Sequence, residues 1–287
     1  MNRRSRHRGI RGFTLVEMVV AITVSAIVVV FASMFLAAPV ESYFAQTRRE
    51  RLVEASELIS RSISKDVRAA LPYSVRTRVN GNFRLLDMLV VDAPPAVYQD
   101  TGAAPDVLTV SPGSDTDFSI NGRFQPNLTG GFIDLAGRRI AVSVGPNIYT
   151  APNLITPPQI VRVSYNQPSS ERIHLASSFS FSGADLTHRV FLVRGTVGYL
   201  CDQTAGTLRR YEGYPLSSSA TAHDTTTEMN ALASTSDLIS SKIASCNFSA
   251  PAGTTSGARE LAGVRITLRD GGESISILEQ SSLEWLR

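Results

Sequence analysis

Apolar positions along the chain follow three successive patterns. Residues 18–40 form 23 positions without a charged side chain, interrupted only by Thr23, Ser25, Ser33 and Pro39. At about 1.5 Å per helical residue that run spans a bilayer, and Pro39 at its end predicts a kink or local loosening. The pattern then turns amphipathic. Phe44, Leu52, Ala55, Ile59, Ile63, Val67 and Leu71 recur at helical spacing, with Arg48, Arg49, Arg51, Glu54, Glu57, Arg61, Lys65 and Arg68 largely elsewhere. Pro72 predicts that this single long helix ends at Leu71. Its apolar stripe reads as core, and the arginines at 48, 49 and 51 as a solvated face near lipid headgroups.

Beyond Pro72 the period shortens to that of strands. Short β-rich runs lie at 83–91, 107–110, 117–120, 138–144, 159–165, 189–201, 207–214, 263–269 and 273–280, punctuated by Pro, Gly, Asn and Asp. Helical spacing returns only at 228–245, so the sheet is predicted to be antiparallel and the class α+β, with the helix packed on the sheet. The low-complexity stretch PLSSSATAHDTTTEMNALASTS (215–236) reads as an exposed, flexible loop.

Composition changes this picture in one respect. The 287 residues carry a formal charge of +3, but residues 1–12, MNRRSRHRGIRG, hold five arginines and no acid, leaving a net −2 on the remainder. The high pI therefore describes a basic leader that orients a membrane segment by the positive-inside rule, not a nucleic-acid-binding domain. A cleaved secretory signal has an apolar core of roughly 7–15 residues followed by a small-residue site. The run here is longer, and FLAAPVES matches such a site poorly. A twin-arginine signal is excluded because RRSRHRG lacks an apolar continuation. An uncleaved signal anchor explains the length and the arginines. It leaves Glu17 unexplained, since a carboxylate at that depth costs on the order of 3 kcal/mol.

Gly12-Phe13-Thr14-Leu15-Val16-Glu17, after a basic leader and before an unbroken apolar helix, resembles the cleavage and methylation motif of type IV pilins and type II secretion pseudopilins. The resemblance implies a pilin-like α+β fold and cleavage by prepilin peptidase between Gly12 and Phe13, with N-methylation of the new Phe13 amine. Gly12 suits that role, because a residue without Cβ lets a protease approach the backbone closely. Glu17 would set the axial register by meeting the amine of a neighbouring subunit, since a carboxylate in hydrocarbon is tolerable when it meets a cation. Pairing with its own Phe13 amine, four residues away, is the other reading, and both can hold before assembly. The organisation implied is a cleaved leader (1–12), a transmembrane helix (13–40), its amphipathic continuation (41–71) and a periplasmic β-rich head (72–287).

Three later segments, VGYLCDQTAGTLRRYEGY, LISSKIASCNFS and GVRITLRDGGESISILEQSSLEW, resemble a minor-pilin subgroup, the O-type minor pilins of mannose-sensitive haemagglutinin (MSHA) pili. More distantly they are similar to J-type pseudopilins and W-type minor pilins. Residues 93–188 resemble no family. The resemblance implies a minor pilin acting in pilus assembly or priming at or near the tip, held first in the inner membrane with its N-terminus cytoplasmic and its head periplasmic. The implied partners are prepilin peptidase, the major and other minor pilins, the inner-membrane assembly platform and membrane lipid. Leu52, Ile59 and Ile63 are the helix positions expected to meet other minor pilins. A J-type pseudopilin and a tip adhesin or DNA-uptake subunit are the alternatives.

In an exported head the two cysteines, Cys201 and Cys246, read as a disulfide, with two separate buried thiols as the other reading. A loop of that length would contribute roughly 4 kcal/mol through chain entropy. No catalytic residues, metal ligands or cofactor are expected. His7, His174, His188 and His223 are scattered without ligand spacing, and no nucleophile elbow, phosphate loop or zinc-type cysteine pair occurs. GSDTD (113–117) offers two carboxylates but reads as a turn, not a calcium site. Arg138-Arg139 and Arg209-Arg210 are the basic pairs a DNA-binding tip would use, and isolated pairs of this kind are usually strand-edge solubilisers. Region 93–188 is where glycan-binding loops would lie. Neither DNA nor glycan binding has support in the residues.

Overall fold

The computed structural model describes residues 12–92, 95–98, 107–110, 113–121, 124, 132–133, 138–142, 144, 148–149, 160–167, 170–181, 188–217, 219, 222–250 and 261–283. The leader before Gly12 lies outside them, as does most of 99–159. The chain divides into two compact units, Met1–Arg51 and Leu52–Arg287. Helix α1 (Leu15–Arg68) runs through Pro39. It stops three residues before the expected Leu71, because the backbone beyond it turns to pair with a strand. The N–H of Leu71 donates to the carbonyl of Leu89 at 2.7 Å, and that of Val91 to the carbonyl of Ala69 at 2.8 Å. Leu71 precedes Pro72, which disfavours α geometry there and leaves the residue free for that pairing.

In the second unit a long strand, β9 (Arg189–Asp202), is the hub of the larger sheet. The C-terminal half of β9 lies between β2 (Phe83–Val91) and β10 (Thr207–Glu212). Its N-terminal half lies between β3 (Ala96–Tyr98) and β6 (Arg139–Val142). A bulge separates the halves, since Val90 faces Gly195 and Val91 faces Val193. Such an extra residue bends a strand and lets it serve two sets of neighbours. β1 (Arg76–Asn80) flanks β2, and β11 (Thr235–Ser240) flanks β10. From β3 the sheet continues through β4 (Asp115–Asn121), β8 (Ser170–Phe179) and β7 (Ile160–Gln167) to β5 (Phe132–Ile133).

A second sheet holds β12 (Ile243–Ser249), β13 (Leu261–Asp270) and β14 (Glu273–Ser282). Gly271 and Gly272, both at positive φ, close the β13–β14 hairpin, as a two-residue turn of this kind requires. Every named strand pair is antiparallel, which agrees with the α+β reading.

The core forms where α1 meets both sheets. Leu52, Ile59, Ile63 and Val67 pack with Leu86, Met88 and Tyr199 of the larger sheet and with Val264, Ile266 and Leu268 of the smaller one. A separate cluster of Phe118, Ile120, Ile173 and Phe181 fills the far end of the larger sheet. The stretch 215–236, read from sequence as a loop, contains helix α2 (Thr226–Leu232), capped by Thr225 and anchored by the buried Met229. Two other expectations also changed. Within the helical spacing expected at 228–245, residues 235–240 and 243–245 instead form β11 and the start of β12, because they pair with β10 and β13. The expected strand at 107–110 is reduced to an isolated bridge between Val110 and Phe181.

Candidate functional site

The first turn of α1 is built by its own residues. Thr14 is the cap: its Oγ1 accepts the N–H of Glu17 at 3.2 Å, and its carbonyl accepts the N–H of Met18 at 3.2 Å. Thr14-Leu15-Val16-Glu17 is thus the T-x-x-E arrangement of a capping box, with Glu17 at the third helical position. A carboxylate there also faces the positive end of the helix dipole. Open space surrounds Gly12, where an added Cβ would meet nothing within 4 Å. Phe13 is 78% exposed. None of the described residues crowds Gly12.

Beyond this turn, as far as Phe35, none of the described residues covers the helix. Every large apolar side chain from Leu15 to Phe35 exposes at least half its surface. Among the described residues, α1 is the one helix long and apolar enough to cross a membrane. A face this large costs too much to leave in water, so lipid or neighbouring helices must cover it. The side chain of Glu17 is exposed on this surface, with no cation of the described residues beside it.

Leu52, Ile59 and Ile63 are placed otherwise than expected. They are 2%, 0% and 2% exposed, buried in the chain's own core against both sheets. A side chain without accessible surface cannot meet a partner, so these positions hold the fold together and do not form the docking face.

Cys201 on β9 and Cys246 on β12 are joined in a disulfide. It ties the larger sheet to the smaller one next to the helix core, and Gln203 Nε2 donates to the Cys246 carbonyl at 2.9 Å.

The basic pairs are engaged within the fold. Arg138 pairs with Asp92 at 2.9 Å, and Arg210 with Asp66 at 2.7 Å and Glu212 at 2.9 Å. Arg209 donates to Ser236 at 3.3 Å. Burial of Arg139 lowers its pKa. The GSDTD carboxylates are likewise committed, Asp115 to the N–H of Thr109 and Asp117 to His174. His188 stacks edge-on against Tyr98, and His223 lies beside Tyr214. His7 lies outside the described residues.

Two buried carboxylates had no signal in the sequence. Asp87 on β2 accepts from Arg76 at 2.7 Å, from Arg78 at 2.8 Å and from the Tyr214 hydroxyl. Asp66 on α1 accepts from Arg210 and from the Tyr199 hydroxyl, both at 2.7 Å. Burial, and then the adjacent Asp87 or Asp66 charge, raises the pKa of Tyr214 and Tyr199 far above the ordinary phenol range. Burial alone would lower that of Arg210, but hydrogen bonds and charge from Asp66 reverse the effect. Each carboxylate thus meets a guanidinium and a neutral phenol, the condition under which a buried charge is tolerated. These clusters fasten α1 and the β1–β2 hairpin to the rest of the sheet.

Comparison with known proteins bears on the first turn and the helix after it. No curated protein and no solved structure matches the chain. Residues 7–33 match the family model of the prokaryotic N-terminal methylation motif, which supports a type IV pilin- or pseudopilin-type protein.

Proposed function

We propose that the chain is a minor pilin of an MSHA-like type IV pilus, acting in assembly or priming at or near the tip. Prepilin peptidase cuts between Gly12 and Phe13, and the new Phe13 amine is methylated. The subunit waits in the inner membrane, N-terminus cytoplasmic and head periplasmic, until the assembly platform moves it into contact with the major and other minor pilins. Glu17 then meets a neighbour's Phe13 amine. The role is structural, without catalysis or a cofactor.

One observation carries this reading. The methylation motif sits at the capped start of a helix whose large apolar side chains from Leu15 to Phe35 are covered by none of the described residues. Such a face finds cover first in lipid and then among like helices. The reading predicts that sheared surface pili contain the chain at a small fraction of the major pilin, and that its deletion reduces piliation. Normal piliation with impaired protein secretion in the deletion strain would move the assignment to the J-type pseudopilin.

A further inference from the structure

β14 is the outer strand of the smaller sheet, and among the described residues it pairs with β13 alone. The two-residue turn at Gly271-Gly272 makes Asp270 and Glu273 a hydrogen-bonded pair. Every odd-numbered residue of β14 therefore turns its N–H and C=O to β13. The even-numbered residues from Ser274 to Ser282 turn theirs to the free edge, where none of the described residues meets them. Such an edge is a template for a further strand.

The two faces beside this edge differ. Outward, Leu278 is 69% exposed. Inward, Ile275 and Ile277 pack on the helix core, and Glu279 points at the flank of α1, where the hydroxyls of Ser60 and Ser64 both donate to its carboxylate. A groove of about 570 Å³ opens there, lined by Arg61, Lys65 and Arg68 of α1 and, on the sheet side, by Glu279 alone. Arg61 pairs with Glu57 at 2.9 Å, largely in solvent, a contact that contributes little. Lys65 and Arg68 are exposed and make no ion pair among the described residues.

A strand added at the free edge would lie about 4.8 Å beyond β14 and continue its alternation. Its inward side chains would enter the groove, and its outward ones would lie beside Leu278. Three cations against one carboxylate leave the groove positive, which selects acids. An acid directly opposite Glu279 would meet a like charge. The fit is therefore best with acids two residues to either side of that position and an uncharged residue between them. β14 of a second copy fails this test, because it brings another Glu279 and another set of cations to the junction.

We propose that the β14 edge and the groove beside it form a docking site for an extended acidic segment of another protein, taken up as a fourth strand of the smaller sheet. The surface belongs to the head and does not depend on how the N-terminus is processed.

The test uses the full chain in detergent and the labelled, end-blocked peptide TEVTVET. The peptide reads the same in both directions, so it presents its two glutamates to the groove in parallel or antiparallel pairing. It should bind saturably and about tenfold more tightly than TKVTVKT, the ratio that a preference of about 1.4 kcal/mol gives. Gln280→Pro removes one outward N–H and leaves the β13 ladder intact, a change that edge strands accept. It should weaken TEVTVET binding severalfold, whereas Gln280→Ala should leave it unchanged. Lys65→Glu together with Arg68→Glu should reverse the preference between the peptides, which also shows that this variant is folded.

Absence of TEVTVET binding, equal affinity for the two peptides, or indifference to Gln280→Pro would overturn the proposal. So would a dimer that Gln280→Pro disrupts and TEVTVET does not, since a second copy would then hold the edge. Slow hydrogen exchange of the Leu278 and Gln280 amides in the free chain would overturn it too, since the chain's own residues would then cover them.

Discussion

Glu17→Ala should leave the chain inserted and cleaved, and should deplete it from sheared pili by an order of magnitude or more. Removing the carboxylate eases entry into hydrocarbon by about 3 kcal/mol, so a mere anchor would be improved. In an assembled bundle the same change strands a neighbour's amine, and breaking a buried pair costs about 3–5 kcal/mol. The capping-box position offers a competing explanation: Thr14 Oγ1 accepts the Glu17 backbone N–H, and a carboxylate at this third helical position can answer by accepting the Thr14 N–H. A lost cap costs about 1 kcal/mol and frays one turn. Glu17→Gln separates the two: glutamine keeps the box but not the charge. Depletion of both variants assigns Glu17 to the intersubunit pair. Normal incorporation of Glu17→Gln assigns it to the cap, and normal incorporation of Glu17→Ala removes both roles.

Cys201→Ala with Cys246→Ala should cost the head about 4 kcal/mol, against a total that for most domains is only 5–15 kcal/mol. The bond closes a sequence separation of 45 residues that includes β10, α2 and β11. Both cysteines are buried in the core that α1 shares with the two sheets, so alanine also removes native packing, in addition to the chain entropy that the unfolded state regains. A matching fall in the denaturant midpoint of the β-sheet signal, measured on the full chain in detergent, is the expected result. An unchanged midpoint would mean that the core, rather than the bridge, holds the two sheets together.

The first turn was legible because its parts are contiguous in sequence: Gly12, Phe13, Thr14 and Glu17 occupy six positions and need no distant partner to be recognised. β2 was legible at both ends, being an apolar run between Gly81-Asn82 and Asp92. The stretch after α2 was not. Ile239, Ile243 and Cys246 fall at helical spacing, yet pairing with β10 and β13 draws the segment into two strands, as tertiary context often overrides local pattern.

Leu52, Ile59 and Ile63 show a different limit. Helical periodicity says that a stripe is covered but not by what, and the chain's own sheets and a partner helix demand the same pattern. Asp66 and Asp87 lay beyond reach for a third reason. Each is buried only because arginines and a tyrosine from other strands converge on it, and no local spacing records that convergence.

The central claim concerns one peptide bond. Full-length chain expressed in cells with active prepilin peptidase and extracted from their membranes should yield, by intact mass and N-terminal sequencing, a mature protein that begins at Phe13 and bears a methyl group on its amine. Extracted protein that still carries residues 1–12 would contradict the account.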